Sequence, residues 1–404
     1  MDLRRLLAAV EESAPIDAVD VLAVELAKMV DASHVSLLIA DFSGNAVARL
    51  SHVTAAHEVS NGHNERVESL SLTDSLYERV LFTQSLEIVQ EDHDWLVLLP
   101  VTERGDAIGI LELSLPSRPD TETVDYLVAA AHALAYVLIA SRRHTDLFEW
   151  AQRNIPFSLA AEIQRRLLPS AYAAEGGSFT LAGWLEPSHD AGGDTFDYSI
   201  DREFLYASMT DAMGHSTQAA LLATLTVGSL RNSRRALASP AEQADTASGA
   251  LLSVAREDQF VTGLLIRIRL ADGRGEVVNA GHPQPYLLRG GRAVKLDITT
   301  EVPFGVQTGH YTAQPVQLQP GDRLLLVTDG YLERGASNVD IEQILEETVE
   351  RHPRQIVNEL AHNVLRATGG DLRDDATALC IDWYGPSGTR HATGGASRAR
   401  ATAP

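Results

Sequence analysis

Basic residues are scarce in this 404-residue chain: Arg and Lys number 33 against 55 Asp and Glu, a formal net charge of −22. A nucleic-acid interface needs basic patches to meet phosphates, and docking on anionic lipid needs the same, so neither partner is expected. Cysteine is scarcer still. The one cysteine, Cys380, sits inside the apolar run Thr377–Trp383. A lone cysteine excludes a disulfide framework, fits a reducing cytoplasm and reads as inert core. Long apolar runs are missing as well. The best membrane candidate, Leu127–Ala140, is short for a span and contains His132, so it reads as a buried or dimer-forming helix. The opening MDLRRLLAAVEE lacks a signal-peptide pattern. Catalytic signatures are absent too: no Gly-x-Ser-x-Gly elbow, no phosphate loop with Gly-Lys-Ser/Thr, no Cys/His cluster with zinc spacing. What is present is 45% hydrophobic residues, enough for a sizeable core, and a length that suits two or three domains. The carboxylate surplus suits a soluble protein, one able to bind divalent cations.

Periodicity divides the chain. Residues 17–31 carry apolar residues at helical spacing, and His34–Ala40 reads as a strand followed by a turn at Asp41–Asn45. Residues 73–83 read as a helix, Trp95–Val101 and Ala107–Leu115 as paired strands, and Thr121 to about Leu147 as one long helix. This α+β order, over roughly 15–142, resembles a GAF sensory domain, which implies an unidentified small-molecule ligand. His52, His57 and His63 read as solvated loop residues. Residues 143–169 form a helical linker with a break at Pro156 and a stop at Pro169. From residue 178, short strands recur with a few clustered helices, which predicts an antiparallel β-sandwich flanked by helices. The Gly/Ala-rich residues 384–404 read as a disordered tail.

The stretch MTDAMGHS, residues 209–216, places an aspartate where an apolar strand ends. With a tight turn at Arg202-Glu203, partners across the two flanking strands have numbers that sum to 405, so Asp194 falls opposite Asp211. Like charges facing each other in a sheet are destabilising unless a cation lies between them or one is protonated. The same local pattern recurs at Asp329, after the run Leu324–Thr328, and at Asp374-Asp375, before Ala376–Trp383. Any one of these aspartates could merely form a turn or cap a helix. Four acidic points at strand ends together suit oxygen-only ligation of hard cations, Mg²⁺ or Mn²⁺. Two such cations would lower the pKa of a water for attack and clamp phosphoryl oxygens, so no protein nucleophile is needed.

AEIQRRLLPS, AGGDTFD, TDAMGHSTQAALLA, VVNAGHPQPYL, LQPGDRLLLVTDGYLE and RDDATAL stand in the order found in the SpoIIE-type phosphatases. Over about 160–383 the chain resembles this bacterial branch of the metal-dependent (PPM, type 2C) serine/threonine protein phosphatases. The resemblance implies a PPM-type β-sandwich at 170–383 with two divalent cations, Mn²⁺ or Mg²⁺, at one end. Carried over by motif, Asp211 corresponds to the carboxylate bridging both metals, the Ala212 carbonyl and Asp194 serve one of them, and Asp329 and Asp374 serve the other. Asp374 is favoured over Asp375. Gly192 and Gly193 would allow a tight backbone turn, His282 would shape the Asn279–His282 turn, and His215 is a candidate general acid. Ser216 stands where the family usually has glycine. The implied substrate is a phosphoserine or phosphothreonine on an anti-sigma-factor antagonist, and the long exit helix suggests a homodimer regulated by its sensory domain. Two other readings stay open. One is a non-enzymatic signalling adaptor. The other is a cyclic-dinucleotide cyclase suggested by Gly192-Gly193-Asp194, although Thr195 departs from that signature.

Overall fold

The computed structural model describes residues 3–386 apart from 43, 55–67, 154–157, 189–191, 215, 255, 257–258, 308–309, 334–338 and 371. His57, His63, Pro156, His215 and nearly all of the tail lie outside the described residues. The chain divides into two compact units, with the boundary between residues 156 and 157.

The first unit contains helices α1 (Leu3–Glu11), α2 (Ala18–Val30), α3 (Leu76–Thr83), α4 (Thr121–Ser141) and α5 (Leu147–Ala151). Its strands are β1 (His34–Ala40), β2 (Ala46–Thr54), β3 (Ser69–Ser71), β4 (Glu87–Glu91), β5 (Asp94–Glu103) and β6 (Asp106–Leu115). They form one antiparallel sheet in the order β3-β2-β1-β6-β5-β4. Side chains alternate along β1. Val35, Leu37 and Ile39 join a core with α1, α2 and α4, while Leu38 joins a smaller core with α3. The Asp120 carboxylate caps α4 by accepting from the Thr123 N–H at 2.8 Å. By length and composition α4, at 21 residues, could cross a membrane, yet half of its most apolar window, of mean hydropathy 1.6, is buried.

The structure refines the reading of this unit at three points. The fold starts before residue 15, because α1 buries Leu6 completely in the main core. His52 is not a solvated loop residue: it lies in β2, with Nδ1 2.7 Å from Ser36 Oγ. The 143–169 segment, expected as a helical linker, carries two short helices among its described residues. The long helix stops at Ser141, α5 buries Phe148 and Ala151 in the first core, and the next helix belongs to the second unit.

The second unit contains α6 (Leu159–Leu167), α7 (Ser216–Arg235), α8 (Pro240–Leu252), α9 (Ile341–Glu347) and α10 (Pro353–Thr368). Its strands are β7 (Ala173–Glu175), β8 (Phe179–Glu186), β9 (Thr195–Ile200), β10 (Phe204–Ala212), β11 (Val261–Arg269), β12 (Arg274–Ala280), β13 (Tyr286–Arg289), β14 (Arg292–Lys295), β15 (Thr300–Glu301), β16 (Gln314–Gln317), β17 (Asp322–Val327) and β18 (Ala376–Trp383). Two six-stranded sheets result: β15-β12-β11-β10-β9, with β16 also on β12, and β14-β13-β17-β18-β8-β7. Met209, Leu264 and Ile266 of the first pack against Leu324, Leu326, Leu379 and Ile381 of the second. The alternate residues Leu325, Val327, Ala378 and Cys380 face outward onto α9 and α10. On the other side, Leu265 and Val278 meet Ala219, Leu222 and Ala223 of α7 and Ala247 of α8. Both faces of each sheet are covered, which is why Leu324–Val327 reads as an unbroken apolar run rather than an alternation. The result is the expected sandwich flanked by helices.

Candidate active site

The β9–β10 hairpin sets the site's register. Its partners run from Leu205↔Ile200 to Thr210↔Thr195, all with numbers summing to 405. The Asp201 carboxylate fixes the turn by accepting from the Glu203 and Phe204 N–H groups, both at 2.7 Å. Beyond the last pair, the Ala212 N–H donates to the Gly193 carbonyl at 3.3 Å. Asp194 therefore faces Asp211 at the end of the ladder. Gly193 is required here by close approach and not by a turn: a Cβ would lie 2.3 Å from the Ala212 carbonyl oxygen. Asp211 still lies within its strand, paired with Thr262 of β11.

Asp329 follows β17 and opens a short 3₁₀ turn, Asp329–Tyr331. Asp374 precedes β18. Gly330 holds these two strand ends together, because a Cβ there would come within 2.1 Å of the Asp375 carbonyl oxygen. Asp211 and Asp329 line one cavity of about 350 Å³ with Thr262, His282 and Gln284. The predicted ligands from distant parts of the sequence thus converge at one end of the sandwich.

The electrostatics explain what this cluster lacks. Among the described residues, none of Asp194, Asp211, Asp329, Asp374 and Asp375 forms an ion pair with a basic side chain. Burial, then Asp329, Asp374 and Asp375, push Asp211 up to about 7. Burial, opposed by the Asp375 N–H, raises Asp374 to about 6, with Asp375 and Asp329 adding to the rise. Partial burial also raises Asp329. Asp194 is 2% exposed and raised well above the carboxylate range, by burial first and by Asp211 and Asp375 next. The Thr377 and Thr328 hydroxyls oppose that rise by donating to Asp194 Oδ2 at 2.6 and 2.7 Å.

This donor set fits hard divalent cations: it is all oxygen, acidic, gathered from four strand ends, and, among the described residues, in no ion pair with a basic side chain. Among the described residues, no three Asp, Glu, His or Cys side chains close tightly enough on one point to hold an ion as they stand. Asp194, Asp211, Asp329 and Asp374, with the Ala212 carbonyl, are the groups that would hold the cations.

Asp375 has other work. It is 1% exposed, and its carboxylate accepts from the Ser188 N–H at 2.8 Å, the Gly192 N–H at 3.0 Å and Gln164 Nε2 at 2.5 Å. Its oxygens are taken up in pinning the loop before Asp194, which leaves Asp374 as the freer of the adjacent pair. Gln164 of α6 also donates to the Asp194 carbonyl at 3.0 Å. The second aspartate of AGGDTFD is structural: Asp197 is clamped by Arg231 and Arg234 at 2.8 and 2.9 Å. Arg231 also holds the Leu167 carbonyl at 2.6 Å, which ties α6 to α7. His282 is fully buried and held neutral, its pKa driven down to about 3 by desolvation. It exchanges hydrogen bonds with Asn279, N–H to Oδ1 at 2.8 Å and carbonyl to Nδ2 at 3.0 Å, and so closes the expected turn.

The sandwich with its acidic end can now be set beside known proteins. Residues 202–384 match the family model of Stage II sporulation protein E (SpoIIE). The match takes in Asp211, Asp329 and Asp374 and begins after Asp194. Among solved structures, the RsbU and RsbW domains of Rv1364c from Mycobacterium tuberculosis are similar at 22% identity and a TM-score of 0.48, covering 57% of this chain. The chain spans 65% of that protein's length. The SiaA-PP2C domain of Pseudomonas aeruginosa follows at 20% identity and a TM-score of 0.47, over 55% of this chain and 93% of that one. The PP2C phosphatase domain of SpoIIE from Bacillus subtilis, with a fragment of its regulatory domain, gives 15% identity and a TM-score of 0.46, over 76% and 87%.

Several neighbours of the acidic site were not legible in the sequence. Gln164 lies in a quoted motif, but nothing local signals that it reaches residues 30 and 211 positions away. Thr328 and Thr377 flank the acidic points and could have been found as a hydroxyl pair at two strand ends.

Proposed function

We propose that this chain is a phosphatase that depends on two divalent cations, Mn²⁺ or Mg²⁺, and acts on a phosphoserine or phosphothreonine of a regulatory protein. The observation that carries this reading is the set of uncompensated carboxylates, with Asp211 and Asp329 lining one cavity. Bound cations would supply a water of low pKa and a grip on phosphoryl oxygens. Asp211, at the end of the β10 ladder, would hold the cations together with Asp194, Asp329 and Asp374. Asp194 is oriented by two threonine hydroxyls, and Asp329 and Asp374 face Asp211 from the opposite sheet. Gln164 and Asp375 orient the Asp194 loop without facing substrate.

The substrate class proposed is a phosphorylated anti-sigma-factor antagonist, in keeping with the SpoIIE-type domain. The first unit is proposed to be a GAF-like sensory domain in a cytoplasmic homodimer. Its route to the site would be α6, whose Gln164 touches both Asp194 and Asp375. Full-length protein assayed with a phosphorylated antagonist and Mn²⁺, beside Asp211→Asn, tests the activity. Metal-dependent release of phosphate by the wild type alone supports it; no release at millimolar Mn²⁺ favours the adaptor reading. A chain starting near residue 157 with identical turnover would contradict regulation by the first unit.

A further inference from the structure

Lysine is almost absent from this protein: of its 33 basic residues only Lys28 and Lys295 are lysines. Lys28 is engaged in the first unit, where Nζ donates to Glu25 Oε1 at 3.0 Å. Lys295 lines the cavity that Asp211 and Asp329 line, and it is the one cation among the described residues that do so. It is exposed and forms no ion pair with any described residue. Its Nζ lies 5.2 Å from the centre of the Tyr286 ring.

The backbone under Lys295 is fixed while the ammonium is not. β14 pairs with β13 so that Lys295 lies opposite Tyr286, four residues after His282. The Leu296 N–H donates to the Pro285 carbonyl at 2.8 Å. Gln284 clasps Ile298 from both sides, Nε2 to the carbonyl at 2.7 Å and Oε1 from the N–H at 3.1 Å. A rigid strand end thus carries a flexible four-carbon stem at the mouth of an acidic site. The carboxylates would be consumed by the metals, and His282 is neutral, so Lys295 is the protein charge left for an incoming anion. An ammonium is a point charge without a planar fork, which suits a phosphoryl group approaching at varied angles.

We propose that Lys295 is a substrate-binding residue that holds a phosphoryl oxygen of the incoming phosphomonoester, positioning it without joining in bond making. This rests on the phosphatase reading. The rarity of lysine makes a direct test possible. Full-length, Mn²⁺-loaded protein is treated with limiting acetic anhydride, with and without inorganic phosphate, and acetylation at Lys295 and Lys28 is read by mass spectrometry. Phosphate should slow labelling of Lys295 at least fivefold and leave Lys28 unchanged; equal labelling of Lys295 overturns the proposal. In a second arm, Lys295→Gln should raise both KM for p-nitrophenyl phosphate and the inhibition constant of phosphate about tenfold, the equivalent of 1.4 kcal/mol. Lys295→Arg should recover most of that loss, because charge is what matters. A KM increase confined to a phosphoprotein substrate, with phosphate inhibition unchanged, would assign Lys295 to the protein surface of the substrate and overturn the proposal. A wild type that hydrolyses nothing refutes the phosphatase reading, while the labelling arm still reports whether Lys295 meets phosphate.

Discussion

Asp194 and Asp197 belong to one motif, are both buried, and meet opposite surroundings. Asp197 is gripped by two arginines of α7. Asp194 has two threonine hydroxyls and the carboxylates of Asp211 and Asp375, and no basic ion-pair partner among the described residues. The contrast extends across the second unit. Asp322 pairs with Arg289, and Asp382 pairs with Arg323, which continues to the Thr348 and Arg351 carbonyls at the end of α9. Where the fold supplies its own cation, the aspartate is scaffold. Where it gathers carboxylates and withholds the cation, the charge has to come from outside, because uncompensated buried charge is costly.

The largest test of this contrast sets two substitutions side by side. Asp211→Asn should lower metal-dependent turnover about a thousandfold, on the order of 4 kcal/mol in the barrier, with the fold retained by circular dichroism. Asp382→Ala should do the reverse, lowering stability by about 3–5 kcal/mol in urea titration because it strands the buried Arg323. Equal loss of fold in both would erase the distinction.

Next in size is a pH effect outside the metal ligands. Glu186, beside Trp184 Nε1 at 3.0 Å, is raised to about 7 by burial. A carboxyl whose folded pKa exceeds its unfolded value contributes stability fully present below about 4.5 and lost as pH rises to about 7. The loss should be about 3 kcal/mol, and Glu186→Gln should flatten it. Asp211 adds loss of the same sign over a similar range, but its part should vanish with saturating Mn²⁺ whereas that of Glu186 persists. Smaller again, Gln164→Ala should cost about 1–2 kcal/mol and weaken Mn²⁺ affinity, since it frees the Asp194 loop. The smallest effect is at Ser216, which holds a left-handed φ of 60° where glycine would rest unstrained. Ser216→Gly should stabilise the protein by up to about 1 kcal/mol in thermal denaturation.

Much of the site was legible because it depends on local rules. The tight turn at Arg202-Glu203 and a period of two are enough to bring Asp194 to Asp211. The apolar runs ending at Asp329 and beginning after Asp375 mark strand ends without any knowledge of the sheet order. The pairing of sheets was not legible, since β8 meets β18 across almost the whole domain. Neither were the short strands β7 and β14–β16, which at two to four residues are too brief to show a period. The identities of the loop anchors were hidden for the same reason: Asp375 acts through the Ser188 and Gly192 N–H groups and Gln164, all remote in sequence. His52 was misread because polar residues inside a sheet look like loop residues until their partner, here Ser36, is known.

Binding of Mn²⁺ to the metal-free full-length protein, followed by calorimetry, separates cation-holding carboxylates from scaffold ones. Two equivalents should bind to the wild type and to Asp197→Asn, and Asp211→Asn should lose at least one. Binding unchanged in Asp211→Asn, or none in the wild type at millimolar Mn²⁺, would contradict the claim that these carboxylates are held apart for cations.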